Sequence, residues 1–125
     1  MREIIFRAKR KDDGKWVYGD LTHVVRITPN GDERCIRVAG YDVDEKTIGQ
    51  FTGTVDAKGV KIFEGDILQI SLYSENDRAT VEWEQCRCGF SIRLSYEPSY
   101  PVNKLALYQI NFIRSLVLGN IHDGI

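Results

Sequence analysis

Residues 59–72 read G-V-K-I-F-E-G-D-I-L-Q-I-S-L, and this stretch decides the fold class. Gly65 and Asp66 are turn formers: glycine tolerates φ > 0, and an aspartate side chain accepts hydrogen bonds from nearby backbone N–H groups. Behind them Leu68, Ile70 and Leu72 alternate with Gln69 and Ser71. A period of two marks a strand with one buried face. The segment therefore specifies a tight turn that starts a strand of a small β-structure.

Working toward the C-terminus, residues 74–78 form a polar turn, after which Ala79, Val81 and Trp83 face inward and Thr80, Glu82 and Glu84 outward. Trp83 is expected to anchor the core. Burial of roughly 150–250 Å² of aromatic surface at about 25 cal/mol/Å² is worth on the order of 4–6 kcal/mol, so its replacement by Ala is expected to threaten the fold. Residues 88–94 continue the pattern with Cys88, Phe90, Ile92 and Leu94 on one face. Prolines make residues 95–101, S-Y-E-P-S-Y-P, a loop. Residues 103–114 fit a short helix or turn, although Tyr108, Ile110 and Phe112 also match strand spacing. Residues 116–121 form a closing strand.

Toward the N-terminus, residues 3–9 carry Ile4, Phe6 and Ala8 on one face, and Asp13-Gly14 turns the chain into an antiparallel return over residues 16–21. A second hairpin joins residues 23–27 to 34–38 through Pro29-Asn30-Gly31-Asp32. A charged connector (42–46), a short strand (47–51) and a loop rich in Gly, Asp and Lys (52–59) lead back to the opening stretch. The expected architecture is all-β. Antiparallel hairpins form a small SH3-like barrel around residues 62–92 and an N-terminal β subdomain, within one domain of residues 1–125 divisible at 1–55 and 56–125.

At 125 residues the chain buries roughly two-thirds of its unfolded surface and needs no covalent staple. Seventeen basic residues against 18 acidic ones leave a net charge of −1, which disfavours a general electrostatic hold on nucleic acid. Apolar runs are too short for a membrane span, and Arg2 and Glu3 stand where a signal core would begin. No membrane contact is expected. The three cysteines make no disulfide framework and fit a reducing compartment, with the cytoplasm as the expected location.

Several segments together carry a family resemblance: R-E-I-I-F-R-A (residues 2–8), W-V-Y-G-D-L (16–21), I-G-Q-F-T-G (48–53), I-F-E-G-D-I (62–67), V-E-W (81–83), G-F (89–90) and L-G-N-I-H (118–122). I-G-Q-F-T-G followed by D-x-x-G-x-x-I-F-E-G-D-I, from Asp56 to Ile67, is the most specific combination. Spanning nearly the whole chain, these motifs closely resemble the YopX-like family. The resemblance implies a small, mainly β, self-associating protein encoded by bacteriophages and prophages. It supplies no chemistry, so no catalytic residue is carried over. After G-N-I-H-D the sequence reads Gly124-Ile125, where members often continue with a short acidic or apolar tail.

Each candidate site competes with a structural explanation. Cys86 and Cys88, with Cys35 and a histidine, offer thiolate ligands for zinc, but the C-x-C spacing without a second pair favours small buried hydrophobes in the apolar row. His23 and His122 suit proton transfer, and a His-based hydrolase is one alternative, yet neither lies in a nucleophile motif. Gly19-Asp20 echoes Gly65-Asp66. Both pairs read as structural turns rather than acid/base or magnesium sites, and exchange of these aspartates for Asn is expected to cost little. Arg7, Lys9, Arg10 and Lys11, beside Trp16 and Tyr18, form a basic cluster that could contact nucleic acid, a second alternative that the balanced charge does not favour over a solvated hairpin rim. Tyr96 and Tyr100, in the proline loop, suit either a protein interface or packing of their rings back onto the barrel. The resulting expectation is a non-enzymatic accessory protein, without cofactor or metal, that binds a second copy of itself and an unknown host or phage protein.

Overall fold

A computed structural model describes residues 3–70, 77–94, 104–106 and 115–123. The chain divides into two compact units, Met1–Phe51 and Thr52–Ile125. All described strand pairings are antiparallel, as the all-β reading requires, and no α-helix occurs among the described residues.

In the first unit β1 (Phe6–Lys9) and β2 (Trp16–Gly19) form a hairpin with Phe6 opposite Gly19 and Lys9 opposite Trp16. The expected Asp13-Gly14 turn is present: Gly14 adopts φ 70°, and the Asp13 carboxylate accepts from the Lys15 N–H at 3.0 Å. Strands β3 (Leu21–Thr28) and β4 (Gly31–Val38) are longer than the hydrophobic pattern alone implies. Pairing runs out to Thr28 and Gly31, so Pro29-Asn30 alone make the turn and Asp32 joins a strand. A second two-residue turn, Ala39-Gly40, has φ 54° and 82°, the left-handed pair that fits a tight hairpin. It delivers β5 (Tyr41–Asp42) back onto β4. Ala8, Val38 and Val43 form the core of this unit, with Phe6, Val17 and Ile48 packed against them. Buried Thr47 ties that core to β1 by accepting from the Lys9 N–H at 2.8 Å.

Strand β6 (Gly49–Val55) starts in the first unit, pairing with β1 through Gly49 and Gln50. It reaches Val55, so the expected loop over 52–59 shrinks to residues 56–60. In the second unit β6 is followed by its sheet neighbour β7 (Lys61–Phe63). The larger sheet has the order β11-β10-β9-β8-β12, built from β8 (Asp66–Ile70), β9 (Asp77–Glu84), β10 (Gly89–Leu94), β11 (Lys104–Ala106) and β12 (Leu116–Asn120). Among the described residues, no pairing joins its two outer strands. Its core is Ile62, Leu68, Ile70, Ala79, Val81, Ile92 and Leu94, backed by Phe90 and Val117. Asp66, Leu68 and Ile70 share the buried face of β8, as the alternation in the opening stretch requires.

Three expectations need correction in this unit. Trp83 is 47% exposed rather than a core anchor: it lies edge-on against Phe90, with ring centroids 5.3 Å apart, and its indole N–H donates to Gln85 Oε1 at 3.1 Å. Much of its surface stays in water, so the loss expected on truncation shrinks accordingly. Cys86 and Cys88 are exposed, not buried. A 3₁₀ turn at Gln85–Arg87 interrupts the alternation, and Cys88 closes it in the left-handed region at φ 50°, before β10 begins. Finally, Lys104–Ala106 is a strand paired with Ser91–Arg93, not part of a helix; residues 107–114 lie outside the described residues.

Candidate functional site

Gly65 and Asp66 sit at the centre of a network that holds β12. Asp66, completely buried, accepts from the Phe63 N–H through Oδ2 at 2.8 Å and from the Asn120 amide through Oδ1 at 3.2 Å. Asn120 Nδ2 also donates to the Glu64 carbonyl at 3.3 Å, while its Oδ1 accepts from the His122 N–H at 3.0 Å. Gly65 donates its N–H to Val81 and accepts from the Ile121 N–H through its carbonyl. At φ 85° a side chain is strained, and a Cβ would stand 2.9 Å from Asn120 Nδ2 and force that amide to move. Asp56 does comparable work from the other end of the motif. Its Oδ1 accepts from Lys58 and Val60 at 2.8 and 2.9 Å, and its Oδ2 from Val117 at 2.9 Å. Burial by itself would raise the Asp56 carboxyl, but these three backbone donors outweigh it and hold the group below its usual range. Two segments of the motif pattern, 56–67 and 118–122, are thus fastened to each other by carboxylates and an amide used as structural acceptors and donors.

Gly19-Asp20 is a weaker counterpart. Asp20 is exposed, and its backbone carbonyl accepts from the Ala39 N–H at 3.0 Å.

The basic cluster of the first unit is parcelled out among aromatic rings. On one face of β1, Arg7 lies 4.7 Å and Lys9 5.4 Å from the Trp16 ring centroid, and Arg7 is almost completely buried. Arg10 turns instead to Tyr41, 4.3 Å from the ring, and pairs with Asp12 at 2.8 Å. The Asp12 hydrogen bond is the main reason the Arg10 guanidinium is raised and the Asp12 carboxyl lowered from their ordinary values. These cations therefore do not line up as a continuous phosphate track. What the arrangement leaves is a concavity of about 460 Å³ lined by Lys11, Asp12, Arg37, Gly40, Tyr41 and Asp42. Arg37 Nε donates to Asp42 Oδ1 at 3.0 Å, and Arg26 reaches Asp42 Oδ2 at 3.5 Å. The Arg37 hydrogen bond lowers the Asp42 carboxyl, with further help from the charges of Arg26 and Lys11. Sequence reasoning missed Tyr41, Arg37 and Asp42. The available signal was Ala39-Gly40 ahead of Tyr41-Asp42, a turn able to fold the aromatic back beside the basic strand.

The hairpin β3–β4 carries a smaller concavity of about 270 Å³ whose lining includes His23, Cys35 and Glu45. Its chemistry fails on geometry. His23 stands opposite Ile36 and Cys35 opposite Val24, so the imidazole and thiol side chains leave opposite faces of the sheet. His122 belongs to the turn after β12 in the second unit. Among the described residues, no group of three or more His, Cys, Asp or Glu side chains is placed to hold a metal ion. Tyr96 and Tyr100 lie outside the described residues. At the hairpin's far end, Val25 is 56% and Ile27 85% exposed. No helix among the described residues is long and apolar enough to cross a membrane.

Comparison with known proteins bears on the fold and the family. The crystal structure of protein EF1440 from Enterococcus faecalis superposes with a TM-score of 0.54 at 22% identity, covering 98% of this chain and 95% of that one. At that identity the likeness is one of fold. No curated protein matches the chain. The family model described as YopX protein matches residues 5–124, taking in both halves of the Asp56–Asn120 network. The chain belongs to the YopX protein family.

Proposed function

We propose that this protein works by binding rather than by catalysis, as a self-associating accessory module of a phage or prophage in the bacterial cytoplasm. The carrying observation is β3. It is the edge strand of its three-stranded sheet, with order β3-β4-β5, and presents Val25 and Ile27 to solvent. Soluble proteins guard such edges with charges, prolines or bulges. Over L-T-H-V-V-R-I-T, β3 has a single charged residue, Arg26, which already lies near Glu33 and Asp42. A second copy fits this edge. Antiparallel pairing about a two-fold axis at Val25 sets Val25 against Val25 and Ile27 against His23. Arg26 then faces Val24, and no like charges are opposed.

Analytical ultracentrifugation at micromolar concentration tests the reading. The native protein is expected to sediment as a dimer or larger assembly, and Ile27→Lys as a monomer with unchanged circular dichroism. A monomeric native protein, or an Ile27→Lys variant that still assembles, overturns it. Affinity capture from cells with an active prophage then tests for a further protein partner.

A further inference from the structure

We infer that the concavity beside Tyr41 binds a nucleobase carrying a phosphate, the base stacked on the tyrosine ring and the phosphate held by Lys11. The site is lined by Tyr41 and Asp42 of β5, whereas the proposed pairing edge is β3 on the opposite side of the same sheet, so self-association and nucleotide binding stand or fall separately. Its volume, about 460 Å³, is within the range of small-ligand pockets, roughly 300–1,000 Å³. Tyr41 is 44% exposed, a ring left partly open where it lines the pocket while Arg10 steadies it. Aromatic side chains of this kind serve as stacking platforms for bases.

Of the two carboxylates lining the pocket, Asp42 is already neutralised by Arg37 and Arg26, which leaves Lys11 as the cation for a phosphate and Asp12 as the acceptor for a base. Arg10 is committed to Asp12 and Asp13. Lys11, by contrast, forms no ion pair among the described residues, and Arg37 uses only its Nε, on Asp42. These two residues supply N–H donors for an oxyanion. Asp12, two-thirds exposed, has acceptor capacity beyond its bond to Arg10, and a carboxylate repels phosphate but accepts from base N–H groups. Guanine offers adjacent N1–H and N2–H donors to one carboxylate, whereas uracil offers a single N–H between two acceptors. A carboxylate at this position therefore matches the donor pattern of guanine better than that of uracil.

Titration of ¹⁵N-labelled protein by NMR decides the matter, using GMP, UMP, inorganic phosphate and a short guanine-containing single-stranded RNA. GMP is expected to shift the amides of Lys11, Gly40 and Tyr41 at lower concentration than UMP. Tyr41→Ala is expected to weaken binding roughly tenfold, the scale of one lost base stack, with Tyr41→Phe unaffected. Lys11→Gln, an exposed change that spares the fold, is expected to weaken binding and reduce its salt dependence. Saturation by GMP alone identifies a free-nucleotide site, and much tighter binding of the RNA identifies a strand-binding one. Absence of shifts with either ligand at millimolar concentration overturns the proposal. So does an equal response to inorganic phosphate, or undiminished binding by Lys11→Gln.

Discussion

Both carboxylate oxygens of Asp66 accept hydrogen bonds, one from the Phe63 backbone and one from the Asn120 amide, inside a site closed to water. An asparagine there has only one acceptor, so one of the two donors would meet an NH₂ group instead. Flipping the Asn120 amide cannot repair this, because that amide is held by the Glu64 carbonyl and the His122 N–H. Asp66→Asn is therefore expected to lose about 1–3 kcal/mol, the cost of leaving a buried donor unsatisfied, rather than the small amount a local turn role implies. Gly65→Ala should lose about 1–2 kcal/mol from the left-handed backbone alone, with displacement of Asn120 in addition. Urea unfolding of both variants checks these figures; an Asp66→Asn protein as stable as the native one would show that the network tolerates the amide. The turn chemistry of Gly65-Asp66 was legible in the sequence because it depends on local residue types. Its partner was not, since Asn120 lies 54 positions away and nothing local in L-G-N-I-H announces which carboxylate its amide will meet.

Strand β12 is fastened at both ends, by Asp56 at Val117 and by Asn120 at Asp66, and between them its register shifts at Val117/Gly119. Because the folded-state Asp56 carboxyl lies below its ordinary value, its contribution to stability is complete above the unfolded pKa of about 3.9. That contribution disappears as the pH falls through the lower folded value. Asp12 and Asp42 are lowered as well, but through exposed pairs with arginines that salt screens. In high salt, the acid-induced loss of stability is thus expected to be steeper for the native protein than for Asp56→Asn. Equal slopes would remove Asp56 from the account. Alternation identified the strand faces of β8 and β10 correctly, since period two follows directly from backbone geometry. It misread Trp83 and Cys88 because periodicity does not reveal where a strand outruns the core or where a 3₁₀ turn resets the phase.

At the scale of the whole chain, the matching family pattern and the all-β class were legible because both rest on many weak signals that agree along the sequence. The site beside Tyr41 was not, because it depends on which aromatic each cation faces: a basic run beside Trp16 resolves into Arg7 and Lys9 on one ring and Arg10 on another. Assembly adds a consequence that no single unit carries. If β3 pairs with a second copy, folding and association are linked, and mass action favours the folded dimer as concentration rises. Each tenfold increase adds about 1.4 kcal/mol per dimer, a shift of a few degrees in Tm for a chain of this size. The Ile27→Lys protein, with a lysine on the β3 edge, should have a Tm independent of concentration. Calorimetry across a hundredfold dilution separates these cases. A native Tm that does not move would mean the edge remains unpaired in the folded protein, with Val25 and Ile27 left to face water.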